Sequence, residues 1–367
     1  MIAKKLIVVE QYVSWNGHYK KYFENLISDN YQYLYCSNIN NNYKNSTFIQ
    51  ASYDTNKNRS FVNFVKGRFG ESFKSYSELI RQKSDVAHII EFEPFSFLFL
   101  FIIQKRVSPS LIITVHSIER LLYANIFKDS VSYLQRKIYG YALKKTASSG
   151  SRFVTHYQHH KNQLVALLGE EYRDSIELIP YPCPQPKYNL RKKSQKSSRK
   201  FLIYGSIRED KGIFEFLSTP GTEKLEITIA GPIVDERVLT FKNHNINFIN
   251  KYFQEDDADF IELINSHSFM LLPYLKTYTG GSGTLKDSIA FGLPVIASDI
   301  PTFREVIKEG KVGHIFDKIE EIESFSKNVS ETEYIELSNN CLAYAEKYNW
   351  KYMRDKYFDI YENVLNH

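Results

Sequence analysis

The chain has 367 residues, and 43% of them are hydrophobic, which is enough apolar material for about two globular domains. The formal net charge of +5 is compatible with anionic ligands or an anionic membrane surface, but it is too small to indicate a nucleic acid partner. The three cysteines, Cys36, Cys183 and Cys341, show neither metal-ligand spacing nor a disulfide framework, and they indicate a reducing compartment.

Neither a secretion signal nor a membrane span is predicted. Residues 1–5 lead directly into the apolar strand residues 6–9, without the longer apolar core of a signal peptide. The most apolar stretch, 95–103, is too short to cross a bilayer as a helix, and we expect it to be buried against a sheet. We therefore expect a cytoplasmic protein, either free in solution or attached as a peripheral protein to the inner face of the plasma membrane.

Short apolar runs alternate with helical stretches along the chain, which is typical of the βαβ units of a parallel sheet. The runs lie at 5–9, 32–36, 86–90, 111–115, 152–155, 176–180, 201–204, 225–230, 246–249, 268–272 and 294–297. The basic, weakly apolar segment 185–200 is typical of an exposed linker. We predict an α/β protein with two doubly wound, Rossmann-like domains that face a central cleft, 1–184 and 201–349, and a terminal helix, 350–367, that packs back on the first domain.

Two positions in the amino half follow predicted strands and are candidates for ligand contact. Gly17 lies in the loop after the first strand, where a glycine lets the backbone come close to a bound group; an ordinary strand-to-helix turn is the alternative. His116 follows the run 111–115, at a strand end where open α/β sheets bind ligands; a structural histidine is the alternative. His156 and His160 are four residues apart on a possible helix, but no third ligand accompanies them, so we predict no metal site.

A helical region at 120–145 mixes lysine and arginine with leucine, tyrosine and phenylalanine. One interpretation is a surface that lies on a membrane carrying a lipid-linked acceptor. The other is an amphipathic helix with an apolar stripe toward the core and a basic outer face. Both remain open.

The loop after the run 201–204 carries a glycine and two cations. Gly205 ends the strand, and Arg208 and Lys211 follow, three residues apart, before a new helix. Arginine presents a planar fork of donors and lysine a point charge, and both suit a diphosphate at the carboxyl end of a strand. The alternative is a pair of solvated charges bound to the neighbouring carboxylates.

The segment 279–287 is the most informative part of the sequence. It combines glycines with small hydroxyl residues: Thr279, Gly280, Gly281, Ser282, Gly283 and Thr284. A helix predicted at 285–291 directs its free N–H groups and positive dipole end at this turn, which is the architecture of a phosphate site. Asp287 is expected in the first turn of that helix, where its carboxylate could accept hydrogen bonds from sugar hydroxyls.

Together these segments resemble the retaining GT-B glycosyltransferases of family four. The resemblance is carried in the carboxyl half by GSIREDKG, ITIAG, LPY and TGGSGTLKDSIAFGLPVIASDIP, and elsewhere by the Gly17 loop, ITVH, IPYP and the closing segment YNWKYMRDKYFDIYENVL. In place of the two glutamates of the family signature the chain has Thr279 and Asp287. Its Gly281-Ser282-Gly283 turn is similar to a branch of the family with a Ser-Gly loop.

The resemblance implies a site. A UDP- or GDP-sugar donor would be bound by Gly17, Gly205, Arg208, Lys211, Gly281, Ser282, Gly283, Thr284, Leu285 and Asp287. In the family, Asp287 would grip the ribose and His116 would lie beside the transferred sugar, and we expect the catalytic residues to be His116, Arg208 and Lys211. The sequence has no paired-aspartate loop suited to a metal, so we expect the cations and the helix N-terminus to stabilise the leaving group without a metal or other cofactor.

The resemblance also implies a reaction. We predict a hexosyltransferase that moves a sugar, with retention, to a hydroxyl of a glycan or lipid-linked acceptor in bacterial capsule, lipopolysaccharide or exopolysaccharide synthesis. Two alternatives remain. An inverting GT-B enzyme would need a general base in the amino half, for which Glu91, Glu93 and Glu119 are candidates. A non-catalytic protein that binds nucleotide sugars or glycans could keep the same fold.

Overall fold

The chain forms two compact units, Met1–Pro180 with Met353–His367, and Tyr181–Tyr352. The computed structural model describes residues 4–15, 19–52, 61–93, 96–98, 110–116, 130–187, 199–241, 245–253 and 257–366. Of the predicted linker 185–200, residues 188–198 lie outside the described residues. Each unit contains one parallel sheet with helices between its strands, as the alternating apolar runs predict.

The described part of the first unit contains a seven-stranded parallel sheet. Its strands are β1 (Leu6–Glu10), β2 (Gln32–Ser37), β3 (Ser46–Gln50), β4 (Val86–Ile89), β5 (Ser110–Val115), β6 (Arg152–Thr155) and β7 (Ile176–Leu178). The spatial order is β3-β2-β1-β4-β5-β6-β7. Because the order reverses between β1 and β4, the loops that follow these strands border the crevice where doubly wound sheets bind ligands.

The helices described between these strands are α1 (Tyr19–Leu26), α2 (Phe61–Arg81), α3 (Ser130–Ala147) and α4 (Gln158–Leu168). β1 and β4 are buried along their whole length. A parallel strand covered on both faces has no solvent-facing side, which is why these strands read as mainly apolar runs in the sequence, with His88 and Glu10 as buried polar exceptions.

The described part of the second unit contains a six-stranded parallel sheet. Its strands are β8 (Lys200–Tyr204), β9 (Glu226–Ala230), β10 (Ile246–Ile249), β11 (Phe269–Leu272), β12 (Val295–Ser298) and β13 (Gly313–Phe316). The order β10-β9-β8-β11-β12-β13 reverses between β8 and β11. The carboxyl ends of these two strands therefore mark the switch point of this sheet.

The α-helices described in the second unit are α5 (Ile213–Leu217), α6 (Ala258–Asn265), α7 (Gly283–Ala290), α8 (Pro301–Gly310), α9 (Ile319–Asn328) and α10 (Glu331–Lys347). α10 begins with a capping box, in which the side chains of Ser330 and Glu333 satisfy each other's backbone N–H groups. The apolar faces of α5, α9 and α10 pack on the sheet through side chains such as Phe216, Ile322 and Tyr334.

The last helix, α11 (Trp350–Asn366), lies almost wholly in the first unit, which it joins from Met353 onward. Its residues Tyr357 and Tyr361 are fully buried. Their hydroxyls bond to Thr114 of β5 and His88 of β4, so the helix is fixed to the first sheet by polar as well as apolar contacts.

Two strands escape the sequence pattern, β3 and β13, and both lie at sheet edges. Their residues are mostly half-buried, unlike those of the central strands. An edge strand has one neighbour and less cover, so its sequence carries a weaker apolar signal. The helix predicted at 285–291 begins two residues earlier than expected, at Gly283.

No helix in the described part of the chain is long and apolar enough to cross a membrane. Of the apolar stretch 95–103, only residues 96–98 are described. The prediction that this stretch is a buried helix therefore falls largely outside the described residues.

Candidate functional site

Two loops with unusual sequences leave neighbouring strands at the switch point of the second sheet. Gly205 follows β8, and the segment 273–282 follows β11 and leads into α7. β8 and β11 are hydrogen-bonded neighbours and run parallel, so both loops start at the same edge. Topology thus brings together the two segments that the sequence suggests for an anion site.

Three predicted residues, Gly205, Lys211 and Thr284, meet at this edge. The Lys211 Nζ atom lies 3.3 Å from the Tyr204 carbonyl oxygen and 3.5 Å from the Thr284 Oγ1 atom. Gly205 has φ +91°, and a Cβ placed there would lie 3.0 Å from both the Lys211 amine and the Thr284 hydroxyl. Position 205 is therefore restricted to glycine by conformation and by space.

Lys211 is buried, with 6% of its surface exposed. Its amine contacts neutral oxygens and the ring of Tyr274, whose centre is 5.5 Å away. Among the described residues, no carboxylate lies within 4.0 Å of this amine. Burial removes water from the amine, so its positive charge is costly unless an opposite charge lies beside it. The site therefore favours an anionic ligand.

Arg208 has a different environment. Its guanidinium grips Asp210 with two hydrogen bonds, of 3.0 and 2.9 Å, and the side chain is half exposed. This bond raises the pKa of Arg208 above its ordinary value. In this structure Arg208 is therefore a solvated loop charge paired with a neighbouring carboxylate, which is the alternative given above. A ligand would have to share the guanidinium with Asp210 or displace that carboxylate.

The helix α7 begins directly behind the glycine turn. Ser282 is its N-cap: the Oγ atom accepts a hydrogen bond of 3.2 Å from the Leu285 N–H and lies 3.1 Å from the Tyr274 hydroxyl. The first N–H groups of a helix have no intrahelical acceptor, and the dipole favours an anion beside them. Gly283 is exposed there, and a Cβ at this position would have no heavy atom within 4 Å.

Two tyrosines that sequence reasoning overlooked hold the turn in shape. The Tyr278 hydroxyl donates to the Gly281 carbonyl oxygen at 2.9 Å, and its ring packs edge-on against Tyr274 at 4.7 Å. Burial raises the pKa of Tyr278, so its hydroxyl remains a donor at neutral pH. The sequence signal was present in the YLKTY segment that precedes the glycines, but its role depends on the fold.

Two predicted donor residues stand in unexpected places. Asp287 was expected in the first turn of α7, and this is wrong, because the helix starts at Gly283 and its first turn contains no acidic residue. Asp287 is half-buried and lies one turn further on, on the face shared with Gly283 and Thr284. The Leu285 side chain is fully buried, and its N–H is taken by the cap, so its part in the site is to anchor the helix.

His116 lies in the first unit, directly after β5. Its Nε2 atom is 3.1 Å from the Ile90 carbonyl oxygen and 3.8 Å from the Glu91 carboxylate. Since a carbonyl only accepts, the Nε2 atom carries a proton. Glu91 also pairs with Arg68 at 3.3 Å, and the Arg68 guanidinium lies 4.1 Å from the centre of the Tyr12 ring. Arg68 and Tyr12 carry no motif that would have revealed them in the sequence.

Several other sequence predictions fall here or outside the described residues. Gly17 and Glu119 lie outside them. Glu93 caps a short turn by accepting from the Ser96 N–H at 2.7 Å, which makes Glu91 the better placed of the described base candidates. His156 precedes α4, so it does not share a helix with His160, and the described residues contain no cluster of three metal-ligating side chains.

Residues 186–348 match the family model described as "Glycosyl transferases group 1". These 163 of the 367 residues are similar to the group 1 glycosyltransferases. The matched range covers nearly all of the second unit and includes Gly205, Lys211, the glycine turn and α7. No curated protein sequence matches the chain significantly.

Solved structures extend the comparison to the whole chain. Sucrose-phosphate synthase from Thermosynechococcus elongatus has 10% sequence identity and a TM-score of 0.75, with 99% of each chain covered. A glycosyltransferase from Rickettsia africae has 15% identity and a TM-score of 0.65, with 100% of this chain and 99% of that chain covered. Anabaena HepE in complex with UDP-glucose has 11% identity and a TM-score of 0.61, with 98% and 99% covered.

These likenesses establish the fold. The predicted α/β architecture of two Rossmann-like units, the GT-B fold of glycosyltransferases, is confirmed. In the second unit, the structure brings together Gly205, Lys211, Thr284 and the N-terminus of α7. It leaves Arg208 engaged with Asp210.

Proposed function

We propose that the protein transfers a sugar from a nucleoside-diphosphate sugar, with UDP or GDP as the nucleotide, to a hydroxyl group of an acceptor. The observation that carries the proposal is the buried Lys211 amine, held beside Thr284 at the end of β8. It supplies positive charge where the N-terminus of α7 adds a dipole and N–H groups. The complex of the similar Anabaena HepE with UDP-glucose supports a nucleotide sugar as the donor.

The diphosphate leaving group is stabilised by charge already in place. As the glycosidic bond breaks, negative charge grows on the β-phosphate, and fixed cations and amides in a poorly hydrated site stabilise it strongly. Lys211 and the first N–H groups of α7 provide this field, and Arg208 joins them when its fork leaves Asp210. Transfer then needs no metal ion, and activity should persist in a chelator.

Retention of the anomeric configuration follows from the family resemblance. The acceptor hydroxyl attacks on the face from which the diphosphate leaves, and a phosphate oxygen of the donor takes its proton. Such a step needs no covalent nucleophile, only positioning and electrostatic stabilisation. Within this mechanism Asp287 binds the ribose and His116 contacts the transferred sugar, as the resemblance implies.

The acceptor is a glycan or a lipid-linked saccharide of bacterial surface polysaccharide synthesis. The C-terminal part of α3 presents exposed Lys137, Tyr141, Lys144 and Lys145. Basic side chains around an aromatic ring suit the anionic surface of a membrane that carries such an acceptor. Binding to vesicles with and without anionic lipid tests this part of the proposal on its own.

The decisive experiment offers the purified protein a panel of UDP-, GDP- and ADP-sugars with glycan and lipid-linked acceptors. Transfer from one nucleotide sugar, in the presence of EDTA, is the expected result, and NMR of the product should show the anomeric configuration of the donor. An inverted product would favour an inverting enzyme, with Glu91 as its base. Tight nucleotide-sugar binding without transfer or hydrolysis would indicate a binding protein.

A further inference from the structure

Buried polar side chains form a continuous hydrogen-bonded line through the first unit. Its members, in order of contact, are Tyr361, His88, Thr114, Tyr357, Tyr22, His156 and the carbonyl of Ile179; we name it the tyrosine–histidine chain. The six side chains are at most 2% exposed. Tyr361 and Tyr357 belong to α11. The remaining members belong to the sheet, to α1 and to the loops after β6 and β7.

The half of the tyrosine–histidine chain that begins at α11 has short hydrogen bonds. The Tyr361 hydroxyl lies 2.5 Å from the His88 Nδ1 atom, and the His88 Nε2 atom lies 2.9 Å from the Thr114 Oγ1 atom. Thr114 in turn lies 2.6 Å from the Tyr357 hydroxyl. The ring of Tyr357 also stacks on His88, with 4.7 Å between the ring centres.

The other half connects α11 to a strand-end histidine. The hydroxyls of Tyr357 and Tyr22 are 2.7 Å apart, and the Tyr22 hydroxyl is 3.2 Å from the His156 Nε2 atom. The His156 Nδ1 atom is 2.8 Å from the carbonyl oxygen of Ile179. The chain therefore ends on a group that can only accept a hydrogen bond.

This end fixes the direction of every bond. His156 must donate from Nδ1 to Ile179, and burial favours the neutral ring, whose Nε2 atom then accepts from the Tyr22 hydroxyl. Tyr22 has given away its one proton, so Tyr357 must donate to Tyr22, and Thr114 must donate to Tyr357. Only an N–H of His88 can then complete the bond to Thr114.

The same reasoning assigns the two histidines opposite tautomers. His88 carries its proton on Nε2 and accepts from Tyr361 at Nδ1, whereas His156 carries its proton on Nδ1. Burial lowers the pKa of His88 to about 3, which keeps this ring neutral, as the assignment requires. Six hydrogen bonds then point one way, from α11 to the loop after β7.

The tyrosine–histidine chain ends beside His116, the histidine that follows β5. The Tyr22 ring meets the His116 ring edge-on, with centres 5.3 Å apart and an interplanar angle of 85°. The His156 ring lies 5.1 Å from the same imidazole. His116 thus packs against two neighbouring rings whose polar ends are fixed by the tyrosine–histidine chain, while its own Nε2 atom bonds to Ile90.

We propose that Tyr22, His156 and Tyr357 are positioning residues for His116, and that the terminal helix α11 sets the orientation of this imidazole through the tyrosine–histidine chain. The inference rests on the proposed function only for what His116 does in sugar transfer. The arrangement gives the terminal helix a part in the site that its distance in sequence conceals.

The test of the chain itself uses NMR of the ten histidines, labelled with ¹⁵N, in the full-length protein. The wild type should show His88 as the Nε2–H tautomer and His156 as the Nδ1–H tautomer. Tyr357→Phe keeps the ring and removes the hydroxyl, so Thr114 becomes free to donate to His88. We expect His88 to move toward the Nδ1–H tautomer and the His116 signals to shift. Tyr352→Phe changes a residue of the same helix outside the tyrosine–histidine chain, and it should leave the signals of His88, His116 and His156 unchanged.

The test of positioning uses the transfer reaction. Tyr357→Phe and Tyr22→Phe should each lower kcat by about tenfold with the KM for the donor nearly unchanged, because a misoriented group affects the transition state more than ground-state binding. Tyr352→Phe should behave as the wild type. Tyr357→Phe and Tyr22→Phe each remove one hydroxyl of the tyrosine–histidine chain. If one variant fails to fold, the other still tests the proposal.

Each outcome separates the inference from the proposed function. A wild-type His88 in the Nδ1–H form would overturn the direction of the chain, whatever the activity. An active enzyme in which both variants keep the wild-type kcat would overturn the positioning role. If the wild type transfers no sugar, the proposed function fails, and unchanged His116 signals in Tyr357→Phe would then overturn the positioning role independently.

Discussion

The amine of Lys211 lies 3.5 Å from the hydroxyl of Thr284, although the two residues are 73 positions apart in sequence. Lys211 reaches this place from the loop after β8, and Thr284 from the first turn of α7, the helix that follows β11. The contact exists because β8 and β11 are neighbours at the switch point of the sheet. It is the centre of the proposed diphosphate site.

Removal of the Lys211 amine should affect function more than folding. Lys211→Ala should lower kcat/KM at least about tenfold, because a positioned charge that stabilises a leaving group contributes on the order of 1.4 kcal/mol or more to the transition state. Lys308→Ala, which removes an exposed lysine of α8, is the matched control and should keep full activity. Initial rates across donor concentrations, with circular dichroism as a check of folding, decide the matter.

Arg208→Ala, tested in the same assay, should also lose at least about tenfold in activity if the fork leaves Asp210 for the donor. Near-normal rates in both the Lys211 and the Arg208 variant would contradict the electrostatic account of the reaction.

The open space at Gly283 gives a prediction that separates binding from stability. Gly283→Ala should leave the melting temperature unchanged or slightly raised, because a methyl group there meets no heavy atom within 4 Å and alanine favours a helix. Nucleotide affinity should fall at least about fivefold, because the methyl group takes the space in which a phosphate approaches the helix N-terminus. Calorimetric titration with UDP and GDP measures the effect.

Gly70→Ala is the control, since a Cβ on this glycine of α2 also has open space around it. It should leave the nucleotide affinity unchanged and the melting temperature unchanged or slightly raised. Equal nucleotide affinity in Gly283→Ala and the wild type would place the phosphate away from this turn.

The two serine caps of the second unit predict a different contrast. Ser282→Ala and Ser330→Ala each remove a side chain that caps a helix, of α7 and α10 respectively, and each should cost about 1 kcal/mol, or about 2–4 °C in melting temperature. Only Ser282→Ala should also weaken nucleotide binding, because its cap orients the proposed phosphate site. Thermal unfolding with and without nucleotide gives both quantities, and equal ligand-induced shifts in the two variants would refute the distinction.

His88 should make the first unit sensitive to acid. Its pKa is lowered from 6.5 to about 3 by burial, so between these values the unfolded chain binds a proton that the folded chain does not. The free energy of unfolding should therefore fall as pH drops from about 6.5 to about 3, by up to about 1.4 kcal/mol per pH unit from this group alone. Above about 6.5 this contribution is fully present.

Urea unfolding at a series of pH values, for the wild type and His88→Gln, measures this contribution. The variant should be less stable at neutral pH, because it loses the contacts of the tyrosine–histidine chain, but it should lose stability less steeply on acidification. Parallel curves for the two proteins would show that His88 does not titrate between these values.

Much of the fold follows from local sequence. Central strands such as β1 and β12 are buried on both faces, so continuous apolar runs reveal them, and the glycine turn before α7 identifies a helix N-terminus. The edge strands β3 and β13 could not be found in this way, because their half-buried residues give a weak pattern. The predicted start of α7 is two residues too late, because Ser282 caps the helix and Gly283 is its first residue.

The site was predicted in its parts but not in its contacts. Gly205 and Lys211 follow from a strand-end motif, but the capture of Arg208 by Asp210 depends on the turn between them. The ring contact between Tyr274 and Tyr278 depends on tertiary packing. So does the tyrosine–histidine chain, in which His88 and Tyr361 are 273 residues apart. No local pattern encodes such pairings.

A crystal structure of the protein with the nucleoside diphosphate that raises its melting temperature most tests the central claim directly. We predict that the β-phosphate lies within about 3 Å of the Lys211 Nζ atom and of the N–H groups at the start of α7. A diphosphate bound elsewhere, with the Lys211 amine still facing only Tyr204 and Thr284, would contradict the account.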